Sequence, residues 1–219
     1  MTLEKHKYKL FGRFKGRKKK YLVPFHDLNK YQVNIGLDIT HLNYNILDIG
    51  SGSGENAIML SSRHSNSKIV TCELFEDGNI NLYEKIKKKG INNISLYQGN
   101  VIEFLDKINL TEIFNEIWIL FPDPWPKKRH HKRRLINVTF LKMIYPYLKK
   151  NSYLMIATDS QSYIISILST IYHSKKLFFW ENQSKAAWDY DNLDLPMTKF
   201  YLKAKRLNRK SIFFKLKKI

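Results

Sequence analysis

The chain is short of acid, of cysteine and of long apolar runs, and each shortage closes off a class of protein. Asp and Glu number 19 against 38 Lys and Arg, a formal net charge of +19 and a pI near 9.8. So positive a field suits a polyanion, either nucleic acid or an anionic membrane surface. The single cysteine, Cys72, has no partner for an internal disulfide, which excludes a disulfide-built scaffold. A metal site would need ligands from elsewhere in the chain and the histidines show no metal spacing, so no metal is expected, and a reducing cytoplasm is the expected setting. No apolar run reaches the ~20 residues that cross a bilayer, so no membrane span is expected. The basic start MTLEKHKYKLFGRFKGRKKK has no apolar segment behind it and does not read as a secretory signal. Proline is scarce as well, yet three of the six prolines fall within five positions, Pro122, Pro124 and Pro126.

What is present is enough for one domain. With 43% hydrophobic and 14% aromatic residues, 219 residues build one α/β core and are too few for two comfortable ones. Residues 1–20 read as a basic, flexible arm and residues 21–219 as a single domain. Apolar runs at 45–49, 68–73, 93–98, 116–121, 153–158, 176–180 and 211–216 are expected as strands. Amphipathic stretches at 55–63, 76–89, 135–149 and 163–173 are expected as helices, the second stopped by Gly90. Alternating strands and helices imply a Rossmann-like α/β fold, a mostly parallel seven-stranded sheet with helices on both faces. In such sheets ligands bind beyond the carboxyl ends of the strands.

LDIGSGSGE, residues 47–55, lies where the first strand should turn into the first helix. Gly50 and Gly52 fit a dinucleotide turn, but Glu55 stands where the third glycine belongs and Gly54 comes one place early. The Gly-Lys-Ser/Thr ending of a P-loop is absent. Asp48 and Glu55 flank the turn and would repel a pyrophosphate. S-adenosylmethionine has no phosphate and carries a sulfonium and an ammonium, which an acid-flanked turn suits. Glu73, ending the second strand roughly 20 residues on, is placed to accept hydrogen bonds from ribose hydroxyls. Asn100 either reads an adenine edge or is a turn asparagine.

The segment FPDPWPKK, residues 121–128, follows the fourth strand. Its alternating prolines forbid helix and ladder and are expected to fix an extended path, holding Asp123 and Trp125 at the sheet edge. KKRHHKRR follows, six Lys/Arg and two His in eight positions with no acid among them. It is expected to grip about six phosphates, for a log–log salt slope of roughly 4–5, while Trp125 packs against a base or sugar.

Taken together, LDIGSGSGE, the TCE acid, FPDPWPKKRHHKRR, ATDS at 157–160 and TKF at 198–200 resemble the bacterial tRNA (guanine-N(7)-)-methyltransferase family, a class I S-adenosylmethionine-dependent group. The resemblance covers nearly the whole chain, including the basic LFGRFKGRKKK arm. It implies a cytosolic enzyme that methylates a guanosine of the tRNA variable loop, with tRNA as partner and no obligate protein partner. Carried over residue by residue, Asp48, the glycines Gly50, Gly52 and Gly54, Glu73, Asn100 and Asp123 are cofactor-binding, and Asp123 is also catalytic. Lys127 and Asp159 match substrate-binding positions, and Arg129, His130, His131, Lys132, Arg133 and Arg134 an RNA-contacting segment. Thr198, Lys199 and Phe200 begin a substrate-binding TKFE motif whose acid is replaced here by Tyr201. Asn100 stands where the family has Asp, and Asn208 where it has a glycine, a residue that still tolerates a left-handed turn.

Guanine nitrogen-7 offers a lone pair and has no proton to lose, so the chemistry asks for alignment rather than a general base. A carboxylate, Asp123 or Asp159, can accept from the guanine ring N–H and exocyclic amine together and so select guanine, and Asp123 is expected to support the cationic product. Two rival readings remain open: a class I enzyme methylating an exocyclic amine, and a basic RNA-binding module without catalysis.

Overall fold

The computed structural model describes residues 30–219; the basic arm expected at 1–20 lies outside them. Seven strands form one sheet: β1 (Tyr44–Ile49), β2 (Ser67–Glu73), β3 (Ile94–Gln98), β4 (Phe114–Leu120), β5 (Leu148–Thr158), β6 (Phe178–Trp180) and β7 (Ile212–Lys218). Their order is β3-β2-β1-β4-β5-β7-β6, with β7 antiparallel to both neighbours and the other pairs parallel. This is the mostly parallel seven-stranded sheet expected, and its order is that of a Rossmann-like class I methyltransferase fold.

Helices cover both faces, so the central strands are buried on both sides and read as near-continuous apolar runs. Five of the six residues of β1 are buried, with Leu47 paired to Val70 on one side and Ile117 on the other. One core layer gathers around Phe104, Phe114, Phe140 and Tyr163, the other around Leu60, Leu82, Tyr83 and Tyr190. The helices are α1 (Ile35–Asp38), α2 (Glu55–Arg63), α3 (Glu76–Lys89), α4 (Val101–Lys107), α5 (Val138–Ile144), α6 (Gln161–His173), α7 (Lys185–Trp188) and α8 (Lys199–Arg206). The strand order reverses between β1 and β4, which opens a crevice at their carboxyl ends.

One expected helix is shorter than read. In place of 135–149, α5 starts at Val138, where Asn137 Oδ1 accepts the Phe140 N–H at 3.0 Å. It ends at Ile144, a single 3-10 turn takes Tyr145–Tyr147, and β5 begins at Leu148. Pro146 has no N–H to continue an α-helical ladder. Helices α4 and α8 lie in stretches that carried no helix expectation.

Candidate active site

Three ends of the sheet converge on the crevice: the β1–α2 turn, the end of β2 and the segment after β4. The turn is glycine-built because its backbone is left-handed, with φ of +71° at Gly50, +54° at Gly52 and +79° at Gly54. At Gly54 a Cβ would also stand 2.3 Å from Leu82 Cδ1 in the core, so no side chain fits.

Asp48 lies near the carboxyl end of β1 at 1% exposure. Its Oδ1 accepts from Asn56 Nδ2 at 2.9 Å, and its Oδ2 has no hydrogen-bond partner among the described residues. Burial pushes its carboxyl up to about 7; the Asn56 hydrogen bond opposes this, and the nearby charges of Glu73 and Glu55 add to it. Ser51 Oγ and Asn56 Oδ1 are likewise buried without partners. All three residues line one cavity of about 500 Å³. Buried oxygens left unpaired are costly, and a ligand bringing N–H donors or positive charge relieves them.

Glu73 is fixed by backbone rather than by a cation. Its Oε2 accepts from the Gly52 N–H and its Oε1 from the Phe75 N–H, both at 2.9 Å. Each oxygen keeps a further lone pair for a ligand hydroxyl. Helix α3 comes close enough to hold this arrangement because residue 78 is glycine: a Cβ there would meet the Gly52 carbonyl at 2.7 Å and Glu73 Cγ at 3.0 Å. Gly78→Ala is therefore expected to cost about 1–3 kcal/mol of stability by overpacking, and to weaken cofactor binding as the turn shifts. Chemical denaturation and a titration with S-adenosylhomocysteine check both, and an alanine variant equal to wild type in both removes Gly78 from the site.

Asn100 caps α4, its Oδ1 accepting the Ile102 N–H at 2.8 Å. At that end the cavity is lined by Gly99 and Val101, the residues on either side of it.

The proline segment is not extended throughout. Phe121 and Trp125 adopt left-handed φ of +52° and +41°, and Pro122-Asp123-Pro124 runs between two kinks. Each costs an L-residue of order 1 kcal/mol or more, held by surrounding structure. The Phe121 N–H bonds Ala157 O at 2.8 Å, tying the first kink to β5. Trp125 is buried at the second, with His130 edge-on at 5.7 Å and the Arg133 guanidinium 4.9 Å over its ring. Asp123, Trp125 and Arg133 all line the cavity.

The basic string divides in two. Lys128–Arg133 form a 3-10 turn; Lys127 before it and Lys128, Arg129 and Lys132 within it are exposed, and His130 and His131 are half-buried. Arg134 departs from the expected RNA contact. It is 3% exposed and directs its guanidinium to Pro124 O at 2.9 Å, Ser162 O at 2.9 Å and Ser162 Oγ at 2.8 Å. A phosphate cannot reach a side chain enclosed in this way.

Thr198 caps α8, accepting the Tyr201 N–H at 3.1 Å, and lines the cavity with Lys199 and Phe200. Lys199 Nζ crosses to Ser53 Oγ on the glycine turn at 2.5 Å, and Phe200 stays 58% exposed. Tyr201 turns away from the cavity. It packs between Phe121 and Tyr190 and donates its hydroxyl to Asp191, a bond that with burial pushes the phenol up to about 12. Asp159, beyond β5, pairs with Arg209 at 3.3 Å and is not among the lining residues. Asn208 is left-handed at φ +51°, which explains how it stands in for a glycine.

The cavity thus unites Asp48, the glycine turn, Glu73, Asp123, Arg133, Thr198, Lys199 and Phe200, and leaves Asn100, Asp159, Tyr201 and Arg134 outside its lining. Asn56, Ser53 and Gly78 belong to it without having been singled out in the sequence. Among the described residues no group of His, Cys, Asp and Glu is placed to hold a metal, and no helix is long and apolar enough to cross a membrane.

A family described as "Putative methyltransferase" matches residues 43–214, nearly all of the sheet. A tRNA (guanine-N(7)-)-methyltransferase from Buchnera aphidicola subsp. Schizaphis graminum is 33% identical over 205 residues, covering 87% of this chain and 84% of that protein. The chain belongs to the tRNA (guanine-N(7)-)-methyltransferase family. Another enzyme of that name, from Nitrosomonas eutropha, is 35% identical over 164 residues, covering 74% of this chain and 70% of its own. Solved structures share the fold at lower identity. An rRNA methylase from Streptococcus thermophilus aligns with a TM-score of 0.54 at 15% identity, over 89% of this chain and 93% of its own. A protein from Streptococcus mutans described as "a putative methyltransferase", in complex with SAH, aligns with a TM-score of 0.54 at 16% identity, over 83% of this chain and 92% of its own. Within this family's fold, Asp48 with its unpaired oxygen and Glu73 with its free lone pairs lie at the strand-order reversal where a ligand binds.

Proposed function

We propose that this protein transfers a methyl group from S-adenosyl-L-methionine to nitrogen-7 of a guanosine in the tRNA variable loop, acting in the cytoplasm. The observation that carries the reading is that one cavity holds both the acid-flanked glycine turn and Asp123 on its kinked proline segment, beside a row of exposed cations. When bound, S-adenosyl-L-methionine supplies an electrophilic methyl on a sulfonium. Asp48 Oδ2, with Ser51 and Asn56, takes its ammonium, and Glu73 takes its ribose hydroxyls. No phosphate group is asked for, which agrees with a turn flanked by two carboxylates.

The nucleophile needs no base, so the protein's work is positioning. Asp123, fixed between Pro122 and Pro124, accepts from the guanine ring N–H and exocyclic amine and stabilises the positive charge the ring acquires. Adenine does not present that pair of donors. Trp125 supplies an apolar wall to the site, and Thr198, Lys199 and Phe200 close it from the α8 side.

The test is a methyl-transfer assay with labelled cofactor and unmodified tRNA transcript, followed by digestion to nucleosides. Labelled 7-methylguanosine is expected, lost when the variable-loop guanosine is replaced by adenosine. A labelled exocyclic amine would overturn the base assignment, and tRNA binding without any label would make the protein a binding module.

Exposed Lys127, Lys128, Arg129 and Lys132 supply four phosphate contacts rather than six, because Arg133 and Arg134 face inward. The affinity for tRNA is expected to fall with salt at a log–log slope of about 3–4 from this segment. Binding titrations across salt concentrations measure the loss of slope when the four are replaced by alanine. A slope that does not change removes the segment from RNA binding.

A further inference from the structure

We propose that Arg134 is a positioning residue for methyl transfer: its guanidinium holds the Pro124 carbonyl against α6 and so keeps the kinked Pro122–Trp125 segment, with Asp123, in place. The inference rests on the proposed reaction for its kinetic test, while the geometry stands apart from it.

The guanidinium is enclosed at 3% exposure and all three of its acceptors are neutral. Nε reaches Pro124 O across ten residues of chain, and Nη1 and Nη2 fork onto the carbonyl and hydroxyl of Ser162 in the first turn of α6. The ring of Tyr163, fully buried beside it, lies 4.9 Å below the guanidinium carbon. A guanidinium has five N–H donors in a rigid plane, so one side chain can span two segments in fixed relative orientation. The segment it grips needs a grip. Left-handed Phe121 and Trp125 store strain that an unanchored backbone relaxes, and relaxation turns Asp123 away from the cavity. β5 anchors the Phe121 end and Arg134 anchors the Pro124 end, one residue past the carboxylate.

Arg134 sits in a string whose Lys127, Lys128, Arg129 and Lys132 face solvent, which is why composition assigns it to RNA. The two roles predict opposite responses. Arg134→Lys keeps the charge and loses the fork, and Arg134→Gln loses the charge and keeps part of the hydrogen bonding. As a positioning residue, both variants lower kcat at saturating tRNA by about 10- to 100-fold, of the size a small misplacement of reacting groups produces. Both leave tRNA KM and the salt slope unchanged. As a phosphate contact, lysine would restore wild-type behaviour and glutamine would reduce the slope by about 0.7–0.9 with kcat intact, and that pattern overturns the proposal.

A readout independent of activity is the emission of Trp125, taken as the difference between each protein and its Trp125→Phe counterpart. A red shift of that difference in Arg134→Lys is expected as the indole gains solvent; an unshifted spectrum with unchanged kcat also overturns the proposal. Should wild type make no methylated nucleoside, the reaction assigned above fails while the spectrum still decides Arg134. Should the Arg134 variants not fold, Ser162→Ala removes one acceptor at an exposed position and is expected to shift both kcat and the Trp125 emission in the same direction. No change in either then counts against the grip.

Discussion

Asp123→Ala is expected to lower methyl-transfer turnover by about 10²–10³-fold while tRNA affinity stays close to wild type. The carboxylate faces its largest task after the methyl has begun to move, when the guanine ring becomes cationic. An interaction made mainly with developing charge appears in kcat and hardly in ground-state binding. The loop itself should survive the change. Its course is set by Pro122 and Pro124, the Phe121 bond to Ala157 O and the packing of Trp125. Single-turnover rates at saturating tRNA, with binding measured separately, separate the two quantities. Turnover near wild type would take Asp123 out of the mechanism, and a loss confined to affinity would make it a substrate clamp without a part in the transition state.

Asp48→Asn is expected to act in opposite directions on binding and stability. Removing one member of a buried charge pair costs about 2–5 kcal/mol, so cofactor affinity should fall roughly 30-fold or more. In the ligand-free protein the same carboxylate is a liability. Burial raises its pKa from the ordinary 3.8 to about 7, which means that the folded state holds a proton the unfolded state has already lost. Its contribution is most favourable below about pH 4 and is progressively lost as pH rises through 7. Asn, which cannot ionise, escapes that loss, and above pH 7 the variant should melt higher than wild type although it binds the cofactor worse. Wild-type binding of a cationic amine at this oxygen should release a proton when measured near pH 6, as titration calorimetry in two buffers of different ionisation heat would show. A variant that is both less stable at pH 8 and equally tight would contradict the placement of the ammonium at Asp48.

The elements legible in the sequence are those whose two faces are buried alike. β1, β2 and β4 are apolar runs bounded by glycine, acid or proline, and the sheet that follows from them places Asp48, Glu73 and Asp123 at one edge without further information. The helix expected over 135–149 fails at Pro146, where apolar periodicity continues although the chain leaves one helix and enters a strand within four residues. Helix α4 carries a visible cap: Asn100 followed by apolar residues at 101, 102, 104 and 105 is a start signal, but an amide at that position reads equally as a base contact. Asn56, Ser53 and Gly78 enter the site through tertiary approach. Nothing local distinguishes a glycine inside a helix that lets a carbonyl come within reach from one that is merely tolerated. The misassignment of Arg134 is of another kind. A run of cations shows its charge in sequence, but which of them point inward depends on the turn they fold into, and here that is a tight 3-10 turn.

That buried arginine suggests how to read other chains of this composition. Lysine outnumbers arginine several-fold here, so wherever a positive charge alone is sufficient, lysine is the residue to expect. Three of the arginines stand where direction matters. Arg63 bonds both the carbonyl and the carboxylate of Asp194, Arg133 sits 4.9 Å over an indole, and Arg134 spans two backbone segments. In a lysine-rich protein an arginine is then a candidate for fixed geometry, and its burial separates a scaffolding position such as Arg134 from a solvent-facing cation such as Arg129.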